Sequence, residues 1–214
     1  MPINGLPILH ILIAQLGESG FSNITLAVGY MAEMIRTYLG DGGKLGIHIS
    51  YSEEKEPLGT IGVLSLINEL PENFLVMNGD ILTDLDFSNF FDFHLKKKGI
   101  ATVATYPKEM TVEYGIIECG RGNHISGYRE KPELQYQVSM EIYAFNSAVL
   151  RFIKGEIYLD FPDLMKLLIK KGKDPIRFLF SGYWKDIRCH TEYEKAAEDF
   201  EMMKGNLLKE PIVR

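Results

Sequence analysis

Asn78-Gly79-Asp80 follows a short apolar run, Phe74–Met77, and is the sharpest chemical feature of the chain. Gly79 permits a tight turn and lets a ligand approach the backbone. Asp80 offers a carboxylate suited to a hard cation such as Mg2+, which takes oxygen ligands and keeps phosphate oxygens in its shell. The same letters also make a plain strand-end turn. Tyr183-Trp184-Lys185-Asp186-Ile187 carries a second carboxylate between apolar neighbours on a short connection. Asp186 is there either a second metal ligand or a surface residue at a helix entry. Glu130-Lys131-Pro132, with Tyr114-Gly115 upstream, offers an ammonium that can hold a phosphate as a point charge and a carboxylate that can accept hydrogen bonds from sugar hydroxyls. Pro132 is expected to hold Lys131 extended, and an exposed charged turn is the alternative. Pro57-Leu58-Gly59-Thr60-Ile61-Gly62 opens a helix whose first N–H groups can meet acceptors on a base or phosphate, although a cap by Thr60 accounts for the same letters.

The elements that must position these residues alternate. Pro7 opens an apolar pattern through Leu16 that predicts a helix closed by Gly17 or Gly20. Further helices are predicted over Ala32–Leu39, Ile61–Leu70 and Phe87–Lys98, and strands over Ile24–Val28, Ile47–Tyr51, Phe74–Met77 and Ile100–Tyr106. This rhythm predicts an α/β fold with a doubly wound, mostly parallel sheet covered on both faces, whose ligands bind beyond the carboxyl ends of the strands. After about Pro107 the rhythm changes. Gly115–Glu118 and Ile125–Tyr128 flank a Gly120-Arg121-Gly122-Asn123 turn, which is a hairpin signal. Val138–Phe145 and Ile176–Phe180 read as strands, Pro162–Lys171 as a helix and Glu192–Lys204 as a closing helix. The expected organisation is a larger first half over 1–110, a smaller mixed α/β half over 111–190, and a C-terminal helix and tail over 191–214.

The 214 residues amount to ~1.4 domains of ~150 residues, enough to bury a core without disulfides. A net charge of -6, with 46% hydrophobic and 24% charged residues, is ordinary for a soluble globular chain and disfavours disordered, collagen-like and coiled-coil readings. The acidic balance argues against a nonspecific nucleic-acid binder. It leaves room for an anionic small ligand bound through local positive charge or a metal. Cys119 and Cys189 form no CxxC, and the five histidines are scattered, so zinc is not indicated and a reducing compartment fits. The apolar N-terminus has no basic segment, the first Lys or Arg being Arg36, and His10 and Gln15 interrupt it. Neither a signal peptide nor a membrane span is therefore expected.

Taken in order with their flanking elements, these segments resemble the nucleotidyltransferase family that makes nucleoside-diphosphate sugars from sugar 1-phosphates. The resemblance runs from Pro2-Ile3-Asn4-Gly5-Leu6-Pro7-Ile8-Leu9 to Tyr193. It implies a Rossmann-like nucleotidyltransferase fold, with 1–110 as the nucleotide-binding half and 111–190 as the sugar-phosphate-binding half. It implies that Leu58, Gly59, Thr60 and Gly79 meet the nucleotide, that Asp80 and Asp186 hold Mg2+, and that Lys131 positions the sugar phosphate. Asp80, Lys131 and Asp186 would form the catalytic set, and Tyr114, Gly115, Glu130 and Ser139 would meet the sugar. The implied substrates are a nucleoside triphosphate and a sugar 1-phosphate, with release of pyrophosphate, in the cytoplasm. No nucleic-acid or membrane partner is implied, and a homo-oligomer stays open. The Leu-Gly-Thr form of the turn is similar to guanylyl-transferring members of the mannose-1-phosphate type.

The family normally begins earlier, with a strand, a glycine-rich loop carrying an Arg, and a Pro-Lys-Pro segment, which together cradle the triphosphate. Residues 1–35 hold no Lys or Arg. Removing one charge-stabilising arginine costs ~10³–10⁵ in rate in other phosphoryl-transfer enzymes. The sequence is therefore expected to be a truncated form with impaired turnover, or a non-catalytic regulatory homologue that binds sugar nucleotides. The absent first strand is expected to leave unpaired strand edges. Ser139 stands where the family has Asn, Glu141 where it has a roomy Gly, and Arg188 where a Gly follows Asp-Ile. A glycosyltransferase holding the metal of a bound nucleotide sugar on Asp80 is a further alternative.

Overall fold

The computed structural model describes residues 2–29, 31–187 and 190–208. In chain order it contains β1 (Pro2–Ile3), β2 (Leu6–Pro7), α1 (Ile8–Glu18), β3 (Asn23–Val28), α2 (Ala32–Leu39) and β4 (His48–Glu53). These are followed by α3 (Gly59–Gly62), β5 (Asn73–Met77), β6 (Ile81–Thr83), α4 (Phe87–Lys97), β7 (Ala101–Thr111) and β8 (Ile116–Cys119). The chain continues through β9 (Ile125–Arg129), β10 (Glu133–Asn146), α5 (Phe161–Lys170), β11 (Ile176–Leu179), β12 (Trp184–Asp186) and α6 (His190–Leu207).

The main sheet has four strands in the order β11-β7-β10-β5. It is mixed: β11 runs parallel to β7, whereas β10 is antiparallel to both β7 and β5. A separate parallel pair, β3 and β4, lies beside it. The α/β fold expected from the alternation is thus present, but the central sheet is mixed rather than mostly parallel, because the long β10 runs antiparallel to both of its neighbours. Among the described strands, β3 pairs only with β4 and β5 only with β10, so each keeps one edge without a strand partner.

Period-2 alternation explains why both faces of the main sheet are covered. Met140, Ile142 and Ala144 of β10 pack with Leu12 and Leu16 of α1 and with Phe87 and Phe90 of α4. Tyr143 and Phe145 point the other way, against Ile61 of α3 and Leu164 and Leu168 of α5. Strand β5 does the same, with Leu75 and Met77 on the first face and Phe74 and Val76 on the second, which is why Phe74–Met77 is continuously apolar. Helix α4 begins where the Asp86 carboxylate accepts the Asn89 N–H at 2.9 Å and ends at Lys98, whose φ is +53°. Helix α6 folds back on the N-terminus. Ala196 and Phe200 bury with Ile3, Ile8, Ile11, Leu82 and Ile187, and Asn4 donates to the Glu201 carboxylate at 2.7 Å. None of the described helices is long and apolar enough to cross a membrane.

Three local expectations change. The helix expected over Ile61–Leu70 is only α3 and one 3-10 turn, Val63–Leu66. Its Ile61 and Gly62 N–H groups donate across the fold to the Leu159 carbonyl at 3.1 and 2.9 Å, and Ile67 is already extended. The strand expected to stop at Tyr106 runs through Pro107 to Thr111. Pro107 is tolerated because β11 pairs β7 only over Thr102–Thr105, leaving that edge open beyond, where a missing N–H costs nothing. Trp184–Asp186, expected as a connection, is a strand paired antiparallel with β6, which the strand pattern of three residues is too short to announce.

Candidate active site

The β6–β12 ladder brings together the backbones of two aspartates, Asp80 and Asp186, that the sequence separates by more than a hundred residues. Asp186 lies opposite Ile81, and the Ile187 N–H donates to the Asp80 carbonyl at 3.1 Å. One strand spacing and one residue step place the two backbones roughly 6 Å apart. Buried neighbours hold both positions: Ile81 is 1% exposed and Ile187 is fully buried. Each such isoleucine contributes about 1.5–3 kcal/mol of burial. The far end of the ladder is fixed too. Thr83, fully buried, donates to the Tyr183 carbonyl at 2.8 Å and accepts the Leu85 N–H, and the Asp84 carboxylate accepts the Tyr183 N–H at 2.7 Å. Gln15 of α1 donates to the Thr83 carbonyl at 2.8 Å.

Alternation along β12 puts Asp186 on the same face as Trp184, whose indole N–H donates to the Met140 carbonyl at 3.2 Å. That carbonyl belongs to the segment where the β7–β10 register breaks, between Ser139 and Tyr143. Glu141 sits in this bulge with φ +60°, a conformation that costs a non-glycine residue about 1–3 kcal/mol. Its N–H donates to Ser139 Oγ at 3.2 Å, its carbonyl accepts the Asn78 N–H at 3.2 Å, and its carboxylate accepts the Asn78 side-chain amide. Asn78, Glu141 and Ser139 are thus bonded to one another at the carboxyl end of β5, and the Asp80 backbone adjoins the end of β12 that carries Asp186. The sequence flagged Glu141 only as a departure; its pairing with Asn78 depends on the bulge, which no local pattern reveals. Arg188 lies outside the described residues.

The other predicted groups form a second constellation on the β8–β9 hairpin. The Tyr128 hydroxyl donates to Glu130 Oε2 at 2.5 Å, and this bond raises the Tyr128 phenol above its ordinary value. A β-carbon on Gly115 would overlap the Tyr128 hydroxyl, so Gly115 is glycine because Tyr128 lies across it. Tyr114, Glu130 and Lys131 are exposed. Lys131 is not extended as its Pro132 neighbour suggested: its φ is +38°, because the chain must reverse from β9 into β10, where Pro132 O accepts the Val112 N–H. Among the described residues no hydrogen bond or ion pair joins Tyr114, Gly115, Glu130 or Lys131 to Asp80 or Ser139. Six residue steps along β10 lead from Glu133 to Ser139, about 20 Å of strand.

The Leu58–Thr60 turn is also used internally. Leu58 is buried, and its N–H donates to the Glu54 carboxylate at 2.8 Å. Gly59 has φ +75°, and a β-carbon there would lie 2.8 Å from the Leu159 carbonyl oxygen. The close approach expected of a ligand is therefore made by the chain's own Leu159 backbone and Tyr158 ring. The Ile61 and Gly62 N–H groups, expected to be open to a ligand, are occupied by Leu159, and Thr60 caps nothing; Leu58 is the cap residue, without a side-chain bond. Beside this turn lies a hollow of about 190 Å³ lined by Gly29, Glu54, Lys55 and Pro57, at the carboxyl end of β3. The sequence reading missed Gly29 and Lys55. The strand-end rule points to Gly29, whereas Lys55 is hidden in a run of glutamates.

A hard divalent cation fits the residues present. Asp80 Oδ1 is buried and has no hydrogen-bond partner, and an orphaned carboxylate oxygen is a donor suited to a hard cation. No cluster of three or more His, Cys, Asp or Glu occurs among the described residues. Such a cation would therefore rest on Asp80, Asp186 and oxygens of a ligand.

An α/β sheet whose carboxyl strand ends carry Asp80 and a strained bulge is the kind of edge at which such folds bind ligands. The chain matches the family "Nucleotidyl transferase" over residues 1–202, and it belongs to that family. It is 31% identical over 216 residues to the UTP–glucose-1-phosphate uridylyltransferase of a Synechocystis strain, covering 92% of this chain and 56% of that protein. It is 29% identical to the D-glycero-alpha-D-manno-heptose 1-phosphate guanylyltransferase of Aneurinibacillus thermoaerophilus, covering 94% of this chain and 87% of that protein. The chain thus spans little more than half of the first relative's length. Its fold is shared by HddC from Yersinia pseudotuberculosis complexed with GMP-PN, at a TM-score of 0.73 and 22% identity over 94% of this chain and 88% of that one.

Proposed function

We propose that this chain provides the catalytic fold of a sugar-1-phosphate nucleotidyltransferase. A phosphate oxygen of the sugar 1-phosphate attacks the α-phosphorus of a nucleoside triphosphate. The bond from that phosphorus to the bridging oxygen breaks, and pyrophosphate leaves with the electron pair. The observation that carries this reading is the meeting of Asp80 and Asp186 on one short ladder, with an unpartnered Asp80 oxygen.

Within this reading Asp80 and Asp186 would hold Mg2+, which would supply charge neutralisation for the substrate phosphates. The hollow by Gly29 and Lys55, together with the Leu58–Thr60 turn, receives the nucleotide. Ser139 and the neighbouring bulge meet the sugar. Lys131 and Glu130 reach the sugar phosphate from the hairpin only by closure of the β8–β9 arm, since they stand apart from Asp80. No covalent protein intermediate is needed; positioning and electrostatics supply the rate. We take GTP as the nucleotide and a manno-configured sugar as its partner, on the Leu58-Gly59-Thr60 form of the turn and the name of the Aneurinibacillus relative. A cytoplasmic setting accords with the two cysteines outside any CxxC.

Pyrophosphate release from GTP, UTP and dTTP with mannose 1-phosphate and glucose 1-phosphate tests the reading. Mg2+-dependent release is expected, fastest with GTP and mannose 1-phosphate, and Asp80→Asn should lower it by about 10²–10³-fold. Ligand-induced thermal stabilisation without any release would make the chain a binding homologue instead.

A further inference from the structure

Asp80 stands between two strands, β5 ending at Met77 and β6 beginning at Ile81, so strand pairing alone does not fix its place. The chain just before it is held by Asn78. The Asn78 N–H donates to the Glu141 carbonyl at 3.2 Å, one step beyond the last β5–β10 pair, Met77 with Ile142. Its side-chain amide donates to the Glu141 carboxylate, so backbone and side chain grip one residue of β10 twice. That residue is itself anchored. Met140 and Ile142 on either side are fully buried, the Glu141 N–H donates to Ser139 Oγ, and the Trp184 indole N–H donates to the Met140 carbonyl at 3.2 Å. Glu141 is engaged beyond these bonds too. Its φ of +60° is a strained backbone that persists only where the surroundings enforce it. On the other side of the turn the Asp80 carbonyl accepts the Ile187 N–H. Gly79 and Asp80 are thus the whole span between the Asn78 grip and the β6–β12 ladder.

Resting on the nucleotidyltransferase reading, we propose that Asn78 is a positioning residue: by clamping the turn to the β10 bulge it holds Asp80 where its carboxylate can bind a divalent cation. Gly79 is exposed, and glycine has the least restrained backbone of any residue. Without the clamp the span would sample many orientations, and binding the ion would have to order it. Outer hydrogen bonds that orient a metal-binding side chain are worth ~10–100-fold in affinity. Asn78 acts through Asp80, so its loss weakens the ion without altering the chemistry once the ion is bound.

The test reads Mn2+ affinity by electron paramagnetic resonance in the presence of GTP, without turnover. It compares the wild type, Asn78→Ala, Glu141→Ala and the double variant. Asn78→Ala is expected to weaken Mn2+ by ~10-fold or more. Glu141→Ala also removes the other contacts of Glu141, so the double variant isolates the pair. It is expected to bind Mn2+ no more weakly than the weaker single variant. In turnover, the Asn78→Ala loss should fall on the Mg2+ concentration required, with kcat recovered at saturating Mg2+. A residue that only stabilises the fold would instead lower the melting temperature and leave Mn2+ affinity per folded chain unchanged, which overturns the inference. Single losses that add in the double variant overturn it as well, and in both cases the parent reading stands. Should Asn78→Ala not fold, Asn78→Ser, whose shorter side chain gives up the bond to the carboxylate, decides in the same way. If the wild type binds no Mn2+, the parent reading falls and takes this inference with it.

Discussion

At the scale of single residues, burial decides protonation as well as packing. His94 is fully buried between Thr102 Oγ1 at 2.7 Å and Asn73 Oδ1 at 3.2 Å, and burial lowers its pKa below the ordinary 6.5 against the opposing pull of a Phe145 backbone hydrogen bond. His10 packs edge-on to Tyr38 with both ring nitrogens buried and without partners, and burial lowers it as well. Both rings are neutral in the folded chain when the unfolded chain begins to take up protons. Their contribution to stability is therefore complete above pH 6.5 and is lost as pH falls from 6.5 through the lower folded values. Melting temperature should fall over that interval. His10→Phe should flatten part of the slope and leave neutral-pH stability equal or higher by about 0.5–1 kcal/mol, because two unsatisfied polar atoms give way to an apolar ring. Urea melts at pH 7.5 and 5.5 check it; an unchanged slope in the variant would assign the acid sensitivity elsewhere. Asp80 and Asp186 stood out in the sequence only through the order of motifs that resembles the family, since each alone also reads as a strand-end turn or a helix-entry residue. Glu141 was not, because its meaning lies in a φ of +60° that only the β10 bulge imposes.

At the scale of elements, the β6–β12 ladder is the hinge of the site. It is only three residues long on each side, so its geometry depends on the side chains that brace it. Thr83 is the chief brace, and Thr83→Val would leave the Tyr183 carbonyl and the Leu85 N–H without their partners at a cost of about 1–3 kcal/mol. We expect that variant to melt earlier and to bind Mg2+ more weakly although Thr83 is placed to touch no ligand; equal Mg2+ affinity would show that the ladder does not position Asp186. The long helices and the buried strands followed from periodicity, capping residues and turn glycines. The ladder did not, since a strand of three residues carries no period. The shortened helix at Gly59–Gly62 escaped for a different reason: its N–H groups are satisfied by Leu159, a partner about a hundred residues away that propensity cannot see.

At the scale of the whole molecule, β5 and β7 from the first half pair with β10 and β11 from the second, so one sheet carries both the Asn78–Asp80 turn and the Ser139–Glu141 bulge. Helix α6 seals the lower side by packing Phe200 and Ala196 against Ile187 and Leu82, next to the residues that matter. The order of motifs made this convergence readable in advance, but the separation of the hairpin group from Asp80 was not, because the length of the β7–β10 ribbon emerges only from its pairing past Pro107. The account stands on one divalent ion shared by two distant carboxylates, and Mn2+ binding by electron paramagnetic resonance in the presence of GTP measures it directly. The predicted result is one Mn2+ per chain, displaced by Mg2+, with affinity lost in both Asp80→Asn and Asp186→Asn and no further loss in the double variant. Retention of that site in Asp186→Asn, with its loss confined to Asp80→Asn, would contradict it.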